Sequence, residues 1–176
     1  MLVSIIVAVA NRGVIGSAGG GMPWDLPRDR SHFRASTGGS WMLVGRRTYE
    51  EMDGWFTDQT PLILTEKPDF KPRNPSHRVV SSVFAAIDLA RRNGASGLLV
   101  CGGAGVYAAA IRYADRLVLT RIAGDVELPD PVCFPDFEHS GDWRLTSAEA
   151  WPSDSKNPFP MRLERYSRNP IRTPSS

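Results

Sequence analysis

Cysteine and histidine are scarce in this chain, at two and three of 176 residues. Cys101 lies inside the apolar run Gly97-Leu98-Leu99-Val100-Cys101, far from Cys133, so the sequence predicts a buried free thiol rather than a disulfide framework. His32, His77 and His139 are scattered and adjoin no ligand pair, which indicates no metal centre. An excess of one charge is missing too: 21 Lys and Arg stand against 19 Asp and Glu, a net +2. A nucleic-acid partner would ask for a concentrated basic surface, so none is expected. No apolar run is long enough to span a bilayer. The longest, Leu2 to Ala10, lacks a basic leader and a cleavage site, so a soluble cytoplasmic protein with no membrane association is expected. A Gly-x-Ser-x-Gly elbow, a Walker A sequence, internal repeats and long linkers are all absent.

What is present is an alternation of short apolar runs and helical patterns. Leu2–Ala10 is rich in β-branched residues and apolar on both faces, as in a central strand covered on each side. A glycine-rich loop, 11–24, leads to Pro27 and a helix over 28–35 that Gly38-Gly39 ends. Strands are expected at 41–44, 61–65, 78–80, 98–101 and 116–122. Helices are expected at 46–52, at 83–92 behind a Ser81 or Ser82 cap, and at 104–113. The last third holds strands at 143–150 and 162–166 and no helix. These elements predict an α/β fold of three layers. Its central sheet is mostly parallel with an antiparallel C-terminal edge, and helices cover both faces. A single domain is expected over 1–167, with a frayed tail over 168–176.

Three segments carry chemistry. In Gly21-Met22-Pro23-Trp24-Asp25-Leu26-Pro27-Arg28-Asp29, a pliant loop runs into a rigid element and then a helix bearing an acid. Asp29 and Phe33 share one helix face, and a carboxylate facing inward needs a partner. Taken alone, Asp29 reads more simply as a solvated acid in a first helical turn. Val44-Gly45-Arg46-Arg47-Thr48 puts two arginines at a helix start, a suitable phosphate site that is equally read as two surface arginines. Cys101-Gly102-Gly103-Ala104-Gly105-Val106-Tyr107 follows a strand and allows close approach of a ligand, though its glycines do not fit the Rossmann fingerprint.

Together and in this order, the three segments resemble dihydrofolate reductase over nearly the whole chain, from Ile5-Ile6-Val7-Ala8 to Leu163-Glu164-Arg165-Tyr166. Further matches are Arg12-Gly13-Val14-Ile15-Gly16, Leu119-Thr120 and Phe134-Pro135-Asp136-Phe137. The resemblance implies NADPH-dependent reduction of 7,8-dihydrofolate, with hydride reaching pterin C6 and Asp29 assisting protonation at N5. It implies that Asp29 binds the pterin 2-amino group and N3, that Thr120 hydrogen-bonds Asp29, and that Trp24 holds an ordered water. On the substrate side it places Ile6, through its carbonyl, with Val7, Ala8, Phe33 and Met52. Around the nicotinamide it places Ala8, Ile15, Gly16, Met22 and Tyr107, under a mobile loop from Gly16 to Met22. It assigns Gly45, Arg46, Arg47 and Thr48 to the phosphates, and Thr65 and Lys67 to the adenosine. Cys101, Gly102, Gly103, Ala104, Gly105 and Val106 complete the cofactor side, with Gly102-Gly103 matching a pair that the family joins in cis. A monomer is expected.

Two departures qualify this. Gln59 stands where the family has an arginine for the folate α-carboxylate, so either Arg30 or Arg34 meets that group instead or both are solvated surface arginines. Glu66 and Gly105 weaken the recognition of a 2′-phosphate, which Arg47 and Lys67 could offset. The alternatives are a reductase of the same fold acting on another heterocycle, such as a riboflavin-pathway diaminopyrimidine, and a non-catalytic nucleotide-binding module.

Overall fold

The computed structural model describes residues 1–170; the rest of the expected tail lies outside the described residues. The chain runs through β1 (Leu2–Val9), β2 (Val14–Ser17), α1 (Pro27–Thr37), β3 (Trp41–Gly45) and α2 (Arg46–Glu51). It continues with β4 (Thr60–Leu64), β5 (Arg78–Val80), α3 (Val83–Arg92), β6 (Gly97–Val100) and α4 (Ala104–Ala110). The last part holds β7 (Arg116–Ile122), β8 (Pro131–Cys133), β9 (Trp143–Trp151) and β10 (Met161–Arg168).

The main sheet has eight strands in the order β5-β4-β3-β6-β1-β7-β10-β9. Every pairing from β5 to β7 is parallel, and β10 runs antiparallel between β7 and β9. The expected architecture is therefore the one observed. β1 sits near the middle because both its faces are apolar. Val3, Ile5, Val7 and Val9 pack on the side of α3 and α4, and Ile6 packs on the other side with Tyr49 of α2 and Phe33 of α1. Burying such aliphatic side chains stabilises the fold by about 1.5–3 kcal/mol each. No helix among the described residues is long and apolar enough to cross a membrane.

Three expectations need correction. The helix expected over 104–113 stops at Ala110 and tightens into a 3-10 turn, Ile111–Tyr113. The loop expected over 11–24 contains β2, which pairs antiparallel with β8 from the far end of the chain. Four residues with a glycine among them give no period to read, and the partner is not local. The strand expected over 162–166 also runs further, to Arg168. Arg168 is paired with Trp143 in the sheet, and its guanidinium donates to the carbonyls of Ala114 (2.7 Å) and Ile111 while resting on the Trp143 ring. A polar-looking C-terminal run thus ends in a clasp on the turn before β7.

Ser82 is the cap of α3, its hydroxyl accepting from the Ala85 amide at 3.0 Å. Ser82→Ala is expected to lower the unfolding free energy by about 1 kcal/mol in urea titration. An unchanged midpoint would show that the cap contributes nothing.

Candidate functional site

Parallel strands expose the ends of several segments at one sheet edge, and a cleft forms outside their carboxyl ends. Here it measures about 1510 Å³. Its floor is Ile6, Val7 and Ala8 of β1, and α1 supplies Asp29, Arg30 and Phe33 on one side. The starts of α2 and α4 form the opposite side, and the loop from Gly16 to Met22 lies over it.

Asp29 is half-buried in this wall and has no ion pair among the described residues. Burial raises its carboxyl above the ordinary value, opposed by the nearby Thr120 hydroxyl and by the neighbouring His32. Thr120 itself is buried, on β7 beside Ala8. It supports Asp29 from below without lining the cleft. Tyr107 occupies the Ile6 carbonyl, donating its hydroxyl at 2.9 Å. A carbonyl has two lone pairs, so the group keeps one for a ligand. Burial holds the Tyr107 hydroxyl well above its usual range, which keeps it a neutral donor. Trp24 lines the cleft, and its indole N–H is buried with no protein acceptor among the described residues.

The other half of the cleft is built by close approach. The Gly45 amide donates to the Gly102 carbonyl at 2.7 Å, joining the ends of β3 and β6. A Cβ on Gly45 would lie 3.1 Å from Val106 Cγ2, and one on Gly103 3.3 Å from Thr48 Oγ1. Gly102 has φ +106, and a side chain there would meet the Tyr107 ring. The Gly102–Gly103 peptide is cis. Arg46 pairs with Glu50 at 2.7 Å, whereas Arg47 donates to the Ala18 carbonyl at 3.3 Å, tying the overlying loop to α2. Beyond them, Thr65 Oγ1 accepts from the Lys67 amide at 3.1 Å, and Glu66 stands between the two in the cleft wall.

Most of the residues singled out from sequence thus meet in one cavity. Met52, Ile15, Met22, Cys101, Ala104 and Gly105 line it as well. Arg34 does not: its guanidinium lies 4.0 Å over the ring of Trp55. Arg30 lines the cleft but is paired with Asp25. Gln59 turns into its own loop, its Oε1 accepting from the amides of Thr57 (2.9 Å) and Asp58 (3.2 Å). Sequence reasoning missed Trp55, which lines the cleft 5.6 Å from Phe33. It sits in a turn with no periodicity to read, and its burial follows only from the way α1 packs across it. His32 was also passed over. Its spacing of three from Asp29 on one helix was the available signal.

Comparison with known proteins agrees with this construction. The dihydrofolate reductase family model matches residues 2–168. The dihydrofolate reductase of Bacillus subtilis is 31% identical over 167 residues, covering 95% of each chain. The type 3 dihydrofolate reductase of Salmonella typhimurium is 33% identical over 168 residues, covering 96% of this chain and 99% of its own. A solved dihydrofolate reductase from Enterococcus faecalis, complexed with NADP(H) and RAB-propyl, superimposes with a TM-score of 0.82 at 28% identity. That alignment covers 96% of this chain and 97% of the other. A cleft built this way, on a chain matched from end to end, leads to one conclusion: the protein belongs to the dihydrofolate reductase family.

Proposed function

We propose that this enzyme reduces 7,8-dihydrofolate to tetrahydrofolate with NADPH, adding hydride at pterin C6 and a proton at N5. The observation that carries the reading is Asp29. A half-buried carboxyl with no cation beside it is unfavourable in the free protein, and an amino-pterin edge supplies the missing donors. Asp29 accepts from the 2-amino group and N3, held in place by Thr120, and so favours the protonated pterin. The Trp24 N–H, which lacks a protein acceptor, suits an ordered water that delivers the proton to N5. Ile6 turns its free lone pair to the heterocycle, with Val7, Ala8, Phe33 and Met52 packed around the ring.

The glycine seam fits the cofactor, because a side chain at Gly45 or Gly102 would push against Val106 or Tyr107 and displace the cleft wall they form. Bound there, the reduced nicotinamide supplies the hydride. Ala8, Ile15, Gly16, Met22 and Tyr107 surround its ring and exclude water. Gly45, Arg46, Arg47 and Thr48 hold the phosphates, with Cys101 to Val106 beneath them. Thr65 and Lys67 reach the adenosine, where the cations of Arg47 and Lys67 offset Glu66.

At the substrate's far end, Arg34 is the better carboxylate anchor. Gln59 is committed to its own loop and Arg30 to Asp25, while Arg34 has no carboxylate partner among the described residues. Stacking on Trp55 holds its planar fork ready for a bidentate contact. A glutamylated substrate is therefore favoured over a diaminopyrimidine.

Asp29→Asn is expected to cut kcat with dihydrofolate by about a hundredfold or more, followed at 340 nm. The same variant should raise Tm at neutral pH. Burial raises the folded-state carboxyl, so its charged form destabilises the fold above that value. The gain should vanish below the ordinary carboxyl range, about pH 3.9. Turnover indifferent to Asp29 overturns the reading. Arg34→Ala should raise KM for dihydrofolate about tenfold or more with little change in kcat, and Arg30→Ala should leave KM alone. Equal turnover of a diaminopyrimidine, with KM untouched by Arg34→Ala, would assign the site to that substrate instead.

A further inference from the structure

α1 lies over three adjacent strands, and one row of side chains beneath it is fixed by register. Thr120 of β7 pairs with Leu163 of β10, and Leu163 with Glu149 of β9. Residues paired across strands point to the same face, so Thr120 and Glu149 stand on the α1 side with Leu163 between them. Asp29 meets Thr120 at one end of this row. One helical turn later, His32 sits over the other end, its ring edge-on to Trp151 at 5.5 Å. The Trp151 indole in turn donates to Glu149 Oε1 at 2.7 Å. The His32 ring is half-buried, and its Nε2 is fully buried with no hydrogen-bond partner among the described residues.

A histidine that only packs on Trp151 has no use for a hidden polar atom. Phenylalanine would fill the same space and leave nothing unsatisfied. We propose that His32 is a positioning residue of the reducing centre, whose imidazole acts on the charge of Asp29 from behind the substrate. This rests on the reading of Asp29 as the proton-handling group.

Three charged groups act on His32: Asp29 on its own helix, Glu149 on β9 and Arg165 on β10. Burial and Arg165 disfavour the imidazolium, whereas Asp29 and Glu149 favour it. Burial is the largest of these, so the ring is neutral at neutral pH and takes its proton only in more acid solution. Asp29 feels the opposite influence, since a charged His32 holds its carboxyl down. As pH falls, a proton gained by one group discourages a proton on the other, and the two titrate as a pair. His32 therefore keeps Asp29 ionised over a wider acid range than burial alone would allow.

The test is the pH dependence of hydride transfer, read in single turnovers with NADPH and dihydrofolate, for the wild type, His32→Gln and His32→Phe. Removing the imidazole should leave the neutral and alkaline range unchanged, where the ring is uncharged, and should move the acid limb to higher pH, lowering the rate severalfold there. Glu149→Gln should move it the same way by less, because it removes a group that favours the imidazolium. Carbon-13 NMR titration of the Asp29 carboxyl in the free enzyme gives a second readout that needs no substrate. Two coupled steps in the wild type should become one, displaced upward, in either His32 variant. Superimposable pH–rate profiles, or an Asp29 titration unchanged by His32→Gln, overturn the inference. Failure to turn over dihydrofolate strikes the proposed function, while the NMR titration still decides the role of His32.

Discussion

The parallel pairing of β1 with β6 on one edge and β7 on the other fixes where everything else can stand. Ile5 aligns with Val100 on one side and with Leu117 on the other, so all three strands advance together toward the same sheet edge. Their next residues then arrive at a common level. Ile6 to Ala8 form the floor, Cys101 and Gly102 the turn beside it, and Thr120 the support under α1. A slip of one residue in β1 would turn Ile6 and Ala8 to the opposite face, away from α1. The register holds because β1 buries Val3, Ile5, Val7 and Val9 on one face and Ile6 on the other.

Much of this was legible in the sequence because the signals were local. The helix over 83–92 has a serine cap, an apolar stripe and an Asn-Gly stop, and it appears with those bounds. β7 likewise spans 116–122. What escaped notice was non-local. β2 exists because β8 returns to it, and neither segment has enough alternating residues to announce a strand. The candidate site divides along the same line. Asp29, the glycines and Arg46-Arg47-Thr48 lie in contiguous motifs and were found. Trp55 and His32 acquire their surroundings only through the packing of α1 across the sheet. The choice between Arg30 and Arg34 was open in the sequence for the same reason, since the partners of each were unknown.

Asp29 marks a place where the fold forgoes stability. Its carboxyl is held where water is depleted, opposed only by one hydroxyl and one histidine, and the free protein bears that unfavourable term. Elsewhere the fold pairs its buried acid fully. Glu164 accepts from Arg121 at 2.9 Å and from the Tyr166 hydroxyl at 2.8 Å, beside Arg162. The contrast between the two carboxyls, one saturated and one left short, sets the cleft acid apart from the paired one without recourse to motif.

The Arg168 clasp bears on the order in which the molecule is completed. β7, which carries Thr120, sits between β1 and β10, and β10 comes almost last in the chain. During synthesis from the N-terminus, β7 must wait with one edge unpaired until residues 161–168 emerge. Only then do Leu163 and Arg165 slide in beside it, and only then does Arg168 fasten the strand to Ala114 and Ile111. The support beneath Asp29 is thus finished from the C-terminal side. A nascent chain can hold every motif of the cleft and still lack the edge that keeps them in place.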